Sequence, residues 1–205
     1  MTLDVAVLVF ARKPVPGRVK TRLVPRLGEW RAARLHARLT THALRTAAAA
    51  RCGPVALHDT RSQRGADLGA RMRHALTLAL RRHRAALLIG ADCPALRVFD
   101  LRRAARLLAG GCDIVLAPAE DGGYVLLGAR RLVDGLFEGI EWGSSAVYAR
   151  TAERLDARGV RWRALRTLWD VDRPEDLERL SGLRPRMRQT GANPMLNSAA
   201  ARTAG

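Results

Sequence analysis

Short apolar runs alternate with longer stretches in which apolar residues recur every three or four positions, and this alternation organises most of the chain. The run Asp4 to Phe10 predicts a strand. The stretch Glu29 to Ala50 predicts an amphipathic helix with Arg31, Arg34, Arg38 and Arg45 on a solvated face. The same reading gives a strand over Pro54 to His58, a helix over Asp67 to His83, a strand over Ala85 to Gly90 and a helix over Phe99 to Ala109. Strands Asp113 to Ala117 and Tyr124 to Leu127 follow in quick succession. Helices over Arg131 to Leu136 and Ser145 to Ala157, a strand over Val160 to Leu165 and a short helix over Pro174 to Leu180 complete the pattern.

Alternating strands and helices predict an α/β fold with a largely parallel sheet covered on both faces. The strands at Asp113 and Tyr124 are too close for a helical crossover, so one of them is antiparallel or displaced and the sheet is mixed. The 205 residues fit one domain, read as residues 1–182. Residues 183–205 have little periodicity and are expected to form a mobile tail.

Composition changes this picture in two ways. The net charge of +17 suits a polyanion, but 34 of the 36 basic residues are arginine, beside abundant Ala, Leu and Gly. That is the signature of a GC-rich coding bias, and with only nine aromatic residues there is no evident base-stacking platform, so nucleic acid is not the expected partner. Cys52, Cys93 and Cys112 form no CxxC pair and read as reduced thiols, which predicts a cytoplasmic setting. No apolar run reaches membrane-spanning length, and no membrane partner is expected.

The two lysines, Lys13 and Lys20, both lie in FARKPVPGRVKTRL, directly after the first strand. Arg12, Arg18 and Arg22 join them, and Pro14, Pro16 and Gly17 bend the segment, so Ala11 to Arg22 can gather cations and backbone N–H groups on a phosphate. An exposed basic turn would use the same residues. In open sheets of this kind ligands bind outside the carboxyl ends of the strands. GADCPAL puts Asp92 at such an end, where a carboxylate can hold a cation that also touches a diphosphate; a turn aspartate before Pro94 is the plainer reading. In PAEDGGYVLLG, Glu120, Asp121, Gly122 and Gly123 suit close approach of a ligand, and equally a hairpin turn. In WDVDRPEDLERL, one of Asp170 and Asp172 is expected to face the site, and Asp172 with Glu175 also reads as a helix capping box.

Several alternatives fail on spacing. Gly17 and Lys20-Thr21 do not make a P-loop, no GxGxxG opens the first helix, and there is neither HExxH nor GxSxG. The five histidines read as surface or packing residues.

Taken in order, FARKPVPGRVKTRL, SQRGADLGARM, LLIGADCPAL, IVLAPAEDGGYVLLG, Trp142-Gly143-Ser144 and DVDRPEDL resemble the bacterial family labelled radical-SAM/selenodomain-associated transferase 1, in the nucleotide-diphospho-sugar transferase (GT-A) superfamily. The KTRL and DVD-PEDL elements are also similar to those of phospholactate guanylyltransferases, and the general plan to molybdenum-cofactor nucleotidyltransferases. The resemblance implies a three-layer α/β/α, Rossmann-like GT-A fold. It implies a metal-dependent transferase using a nucleotide-activated donor: a glycosyltransferase acting on a nucleotide sugar and a small-molecule acceptor, or a nucleotidyltransferase releasing pyrophosphate from a nucleoside triphosphate. The reading from another class is a non-catalytic basic nucleic-acid-binding protein. The resemblance further implies that Ala11, Arg12, Lys13, Gly17, Lys20, Arg22 and Asp92 bind the nucleotide, with Lys20 and Asp92 catalytic. Asp92 and Asp172 would hold Mg²⁺ or Mn²⁺, and Asp121, Gly122, Gly123, Tyr124, Trp142 and Ser144 would face the acceptor. Two departures stand out: Arg173 replaces a hydroxyl residue before Pro174, and Trp-Gly-Ser replaces Trp-Ser-Thr.

Overall fold

The apolar runs become strands β1 (Val5–Phe10), β2 (Val55–His58), β3 (Ala85–Gly90), β4 (Ile114–Pro118), β5 (Tyr124–Ala129) and β6 (Trp162–Ala164). The periodic stretches become α2 (Glu29–Ala50), α3 (Leu68–Leu80), α4 (Val98–Ala109), α5 (Val147–Ala157) and α6 (Asp176–Gln189), preceded by a short α1 (Val24–Leu27). This computed structural model describes residues 4–189, with side chains to residue 182.

The sheet order is β2-β1-β3-β5-β4-β6. β1 pairs in parallel with β2 and β3, and β4 with β6, while β5 runs antiparallel between β3 and β4. The mixed sheet expected from the Asp113/Tyr124 spacing is therefore present, with β5 as the reversed strand. This reversal shapes the site: the carboxyl ends of β1, β3 and β4 and the amino end of β5 meet along one edge, with Phe10 opposite Gly90 and Pro118 opposite Tyr124.

Both faces are dry. Val5, Val7 and Val9 pack with Ala43 and Ala47 of α2 and Leu101, Ala105 and Leu108 of α4, whereas Ala6, Leu8 and Phe10 pack with Met72 and Leu76 of α3 and Leu155 of α5. Period-2 alternation thus sends successive β1 side chains to opposite layers, which gives the three-layer α/β/α architecture.

Two local expectations are corrected. Residues 131–136 form turns rather than a helix. The segment is too short to nucleate one alone, Gly135 sits at φ +70, and Arg154 reaches across from α5 to donate to the carbonyls of Gly135, Leu136 and Glu138. The stretch between the basic loop and α2, to which the sequence reading gave no element, makes a 3₁₀ turn (Thr21–Leu23) running into α1. The last helix, expected over Pro174 to Leu180, runs instead over Asp176–Gln189; residues 190–205 of the expected tail lie outside the described residues.

At the opposite end of the sheet, Asp113 is buried and held by Arg130 at 2.7 Å and Arg131 at 3.2 Å. Burial alone would raise its pKa, but the hydrogen bonds from Arg131 and Arg130 outweigh it and bring it down to about 2. Because the folded value is depressed, this carboxylate stabilises the fold above its ordinary pKa, and the contribution is lost as pH falls toward about 2. The gap in melting temperature between wild type and Asp113→Asn is therefore expected to be constant near neutrality and to close between about pH 4 and about pH 2. A gap unchanged over that range would show that the arginines do not hold the carboxylate.

Candidate active site

The basic loop leaves β1 at Ala11 and folds back through tight turns, with the Val15 N–H donating to the Lys13 carbonyl at 2.8 Å and that of Arg18 to the Val15 carbonyl at 3.0 Å. It ends at Lys20, whose backbone is left-handed (φ 50, ψ 41), a conformation costly for a non-glycine residue. The strained turn points the Lys20 side chain inward. It is only 4% exposed, and its Nζ lies 2.8 Å from Asp92 Oδ2 and donates to the Val171 carbonyl. An ammonium carries three donors, so one N–H remains for a ligand in the cleft.

Asp92 extends from the end of β3. Its second oxygen lies 3.2 Å from His36 Nδ1, and the other ring nitrogen of His36 faces the Arg12 carbonyl at 2.9 Å. That carbonyl can only accept, so Nε2 carries a hydrogen and donates to it. Burial acts to raise the Asp92 pKa, but His36 and Lys20 together hold it below the usual carboxylate range. His36 thereby ties the phosphate-side loop to the carboxylate, and it is not the ordinary packing histidine expected from sequence. Cys93, next in the chain, is buried with its thiol pushed up to about 12 by burial, so it is no nucleophile at neutral pH.

Around this knot opens a cleft of about 920 Å³ lined by Arg12, Lys13, Arg18, Arg22 and Arg71. Residues of SQRGADLGARM, for which sequence suggested no role, build its other wall. Gln63 donates to the Ala11 and His58 carbonyls, and Thr60 accepts the Lys13 N–H at 3.1 Å, which fastens the basic loop to the end of β2.

The segment after β6 closes the floor. The Val171 N–H donates to the Asp92 carbonyl at 2.9 Å and Val171 is fully buried, while Asp170 and Asp172 on either side of it both face ligand space. The expectation that only one would do so is corrected, because positions i and i+2 of extended chain share a side. They differ in company. Asp172 is ion-paired with Arg22 at 2.5 Å on the rim. Asp170 is held up at about 6, first by burial and then by the charges of Asp121 and Asp92, with Lys20 acting the other way. In the expected capping box the place of Glu175 is taken by Asp176, whose carboxylate reaches back to accept the N–H groups of Asp172 at 2.9 Å and Arg173 at 2.7 Å.

Asp121, Gly123, Tyr124, Trp142 and Ser144 gather around a second, smaller cavity of about 240 Å³, which shares Phe10, Leu68 and Gly90 with the basic cleft. Gly122 is not in its wall; it packs behind, against the backbone of Ser145. Trp142 stands edge-on to Tyr124, and its indole fills the space left by the absent side chain of Gly69 on α3.

Residues 30–144 match the family described as an uncharacterized protein conserved in bacteria (DUF2064). The chain belongs to this family. Among solved structures, a proposed nucleotide-diphospho-sugar transferase from Desulfovibrio desulfuricans G20 is 30% identical, with 83% of each chain covered and a TM-score of 0.74. The fold is thus that of the nucleotide-diphospho-sugar transferases, as the sequence resemblance implied. At the level of fold alone, 4-diphosphocytidyl-2C-methyl-D-erythritol synthase from Anaerococcus prevotii is similar (8% identity, 88% and 98% covered, TM-score 0.57). So is a CMP:2-keto-3-deoxy-manno-octonic acid synthetase complexed with CTP (11% identity, 90% and 99% covered, TM-score 0.52). No curated protein matches the sequence. The DUF2064 match spans His36, Asp92 and most of the second cavity's wall, while Lys20 and the Asp170–Asp172 segment flank it and complete the site from either side. Among the described residues no helix is long and apolar enough to cross a membrane.

Proposed function

We propose that this DUF2064 protein is a metal-dependent glycosyltransferase that moves a sugar from a nucleotide donor to the hydroxyl of a small acceptor. The observation that carries this reading is the Lys20–Asp92–His36 knot at the floor of a cationic cleft, on the edge of the sheet where strand ends converge. Arg12, Lys13, Arg18 and Arg71 receive the diphosphate, and the free N–H of Lys20 meets the oxygen on which charge develops as the donor breaks. Similarity to the Desulfovibrio protein supports a nucleotide sugar as donor.

The residues fit a divalent cation. Among the described residues no three His, Cys, Asp or Glu side chains stand as a ready-made cage. Mg²⁺ asks for no such cage, since it is content with one or two carboxylates plus phosphate oxygens and water. Asp92 and Asp170 supply the carboxylates, and the raised pKa of Asp170 marks negative charge that a cation relieves. Asp170 takes this role in place of Asp172, which stands out on the rim beside Arg22. When bound, Mg²⁺ or Mn²⁺ neutralises the diphosphate and aids its departure. The chain's own residues orient the two partners. The acceptor oxygen, placed in the smaller cavity, bonds to the anomeric carbon as the bond from that carbon to the diphosphate breaks. The electron pair leaves with the nucleoside diphosphate, and the hydroxyl proton passes to Asp121, one of whose oxygens is fixed by the Gly123 N–H at 2.9 Å.

Incubation with Mg²⁺ or Mn²⁺, nucleotide sugars and nucleoside triphosphates tests this directly. Release of nucleoside diphosphate from a nucleotide sugar is the expected result, together with a metal-dependent rise in melting temperature with that nucleotide. Pyrophosphate release from a triphosphate would replace the reading with nucleotidyl transfer. Salt-sensitive duplex binding with no nucleotide effect would replace it with nucleic-acid binding.

A further inference from the structure

The two helical layers carry charge in opposite ways. From Trp30 to His58 the sequence holds no Asp or Glu, and the single acid of α4, Asp100, is buried and paired with Arg166 at 2.7 Å. The outward stripe of α2 is Arg31, Arg34, Arg38 and Arg45, all exposed, and beside it α4 presents Arg102, Arg103 and Arg106. Among the described residues none of these arginines forms an ion pair. Glu29, at the start of α2, lies with its carboxylate against Gly17 of the basic loop. The opposite layer mixes signs: Arg73 pairs with Asp134 and Glu138, and exposed Glu153 and Asp156 stand among Arg150 and Arg158 on and after α5. A GC-rich coding bias exchanges lysine for arginine, but it does not clear acids from one layer. No Asp or Glu follows Glu178 in the sequence, so the residues outside the described part bring no side-chain carboxylate to offset this face.

We propose that the outward face of α2 and α4 docks on an anionic phospholipid membrane. Both helices pack on the same face of the sheet, through residues such as Ala43 and Ala47 of α2 and Leu101 and Ala105 of α4, so their arginines share one side of the molecule. A helix-borne cluster of this size is what anionic headgroups hold. Two aromatic rings stand out from the same face: Trp30, one turn before Arg34, is 79% exposed, and Phe99, one turn before Arg103, is 58% exposed. Exposed rings bordered by cations suit the headgroup level of a bilayer. A nucleic acid would instead want rings close enough to stack on neighbouring bases. Both helices return from the carboxyl ends of the parallel strands β1 and β3, and Arg102 donates to the carbonyls of Ala49 and Ala50, which sets Phe99 beside the second half of α2. At 1.5 Å per residue, Trp30 and Phe99 then lie roughly 20 Å apart along α2, too far to stack on adjacent bases, whereas membrane anchors act independently. The expectation of no membrane partner rests on the lack of a spanning run, and a face that lies on the surface needs none. Neither cavity is lined by these residues, so docking leaves the cleft at the sheet edge open.

Sedimentation of the full chain with vesicles tests this without turnover. Binding is expected to phosphatidylcholine vesicles containing one third phosphatidylglycerol, weakening as salt rises, and not to phosphatidylcholine alone. Combining Arg34→Gln, Arg38→Gln and Arg45→Gln should weaken it about 10²-fold, some fivefold per arginine. Removing three charges from the opposite layer, by Arg82→Gln, Arg150→Gln and Arg158→Gln, should weaken it less than about threefold, because charges facing away from the membrane are screened. Trp30→Ala should weaken binding about fivefold and abolish the blue shift of tryptophan fluorescence on adding anionic vesicles. All these side chains are exposed, so the melting temperatures should match wild type. No binding to the anionic vesicles, equal binding to the neutral ones, equal effects of the two arginine triples, or a Trp30→Ala variant that binds and shifts like wild type would each overturn the proposal. A mixed-sequence DNA duplex at the same salt is the competing polyanion: tighter binding to it than to the vesicles, weakened by the α2 triple, would replace the membrane with nucleic acid.

Discussion

Replacing Lys20 by alanine is expected to lower the rate of nucleoside diphosphate release by about 10²-fold or more, the loss typical of removing one preorganised charge from a developing oxyanion. The side chain is placed by a left-handed turn, is shielded from water, and reaches Asp92 at 2.8 Å, so neither solvent nor a neighbouring arginine stands ready to replace it. Arginine itself should not rescue the rate. Its planar fork is bulkier than an ammonium and cannot be accommodated where Lys20 already meets both Asp92 and the Val171 carbonyl. Alanine keeps the same backbone demand as lysine, so the left-handed turn is equally strained in the variant. The carboxylate left behind keeps its contact with His36, and the fold should survive with a loss of about 1 to 3 kcal/mol from the vacated acceptors. Asp92→Asn should cost a similar factor in turnover, because it removes the charge that Lys20 and the cation share while preserving shape. Circular dichroism and thermal melts establish folding, and single-turnover assays with a nucleotide sugar read the rate. Near-wild-type turnover in either folded variant would remove the knot from the active site.

The sequence carried most of the architecture because strands buried on both sides must be apolar throughout, as β1 is, and because helices covering a sheet must repeat every 3.6 residues, as α2 does. That one of β4 and β5 is antiparallel or displaced follows from a length alone, because residues 119–123 are too few to carry a chain back across the sheet through a helix; that it is β5 that runs antiparallel between β3 and β4 is seen only in the fold. What remained hidden depends on contacts distant in sequence. The turns at 131–136 look helical by period and are held open by Arg154, which belongs to another element. His36 lies on the buried face of α2 between Ala33 and Leu39, where a periodic reading sees only packing; its partners Asp92 and Arg12 come from two other loops. A histidine on the dry stripe of the first long helix after a phosphate-type loop was the available signal. Likewise the D-x-x-E spacing paired Asp172 with Glu175 in a capping box, but Asp176 takes the Asp172 N–H in place of Glu175, and the Asp172 carboxylate pairs with Arg22. Sequence proximity generated both candidates, and only three-dimensional reach separated them.

Gly122→Ala is expected to produce the largest loss of stability of any single change in the acceptor loop. At φ +89 the residue occupies backbone space that side chains rarely adopt, and a Cβ built there would lie 2.0 Å from the Ser145 carbonyl oxygen. Both obstacles are main chain, so no side-chain rotation relieves them. The turn is also tied in on both sides: the Gly122 N–H donates to the Ala119 carbonyl at 3.1 Å, and the Tyr148 N–H donates to the Gly122 carbonyl at 2.8 Å. Making room for a methyl group must therefore push the β4–β5 turn away from the start of α5 and break at least one of these bonds. Backbone strain of about 1 to 3 kcal/mol together with a hydrogen bond worth about 1 kcal/mol gives a loss of roughly 2 to 4 kcal/mol. For a chain of this size that corresponds to a fall of about 4 to 16 °C in melting temperature. The functional consequence differs from that of Lys20→Ala. The turn carries Asp121 and Gly123 into the smaller cavity, whereas the basic cleft is lined by the segments after β1, β2 and β3, so nucleotide affinity should change less than about threefold while transfer to the acceptor falls about tenfold or more. Loss of nucleotide binding in step with transfer would show that the two cavities are one mechanical unit. A variant as stable as wild type would mean that the turn is not pressed against Ser145.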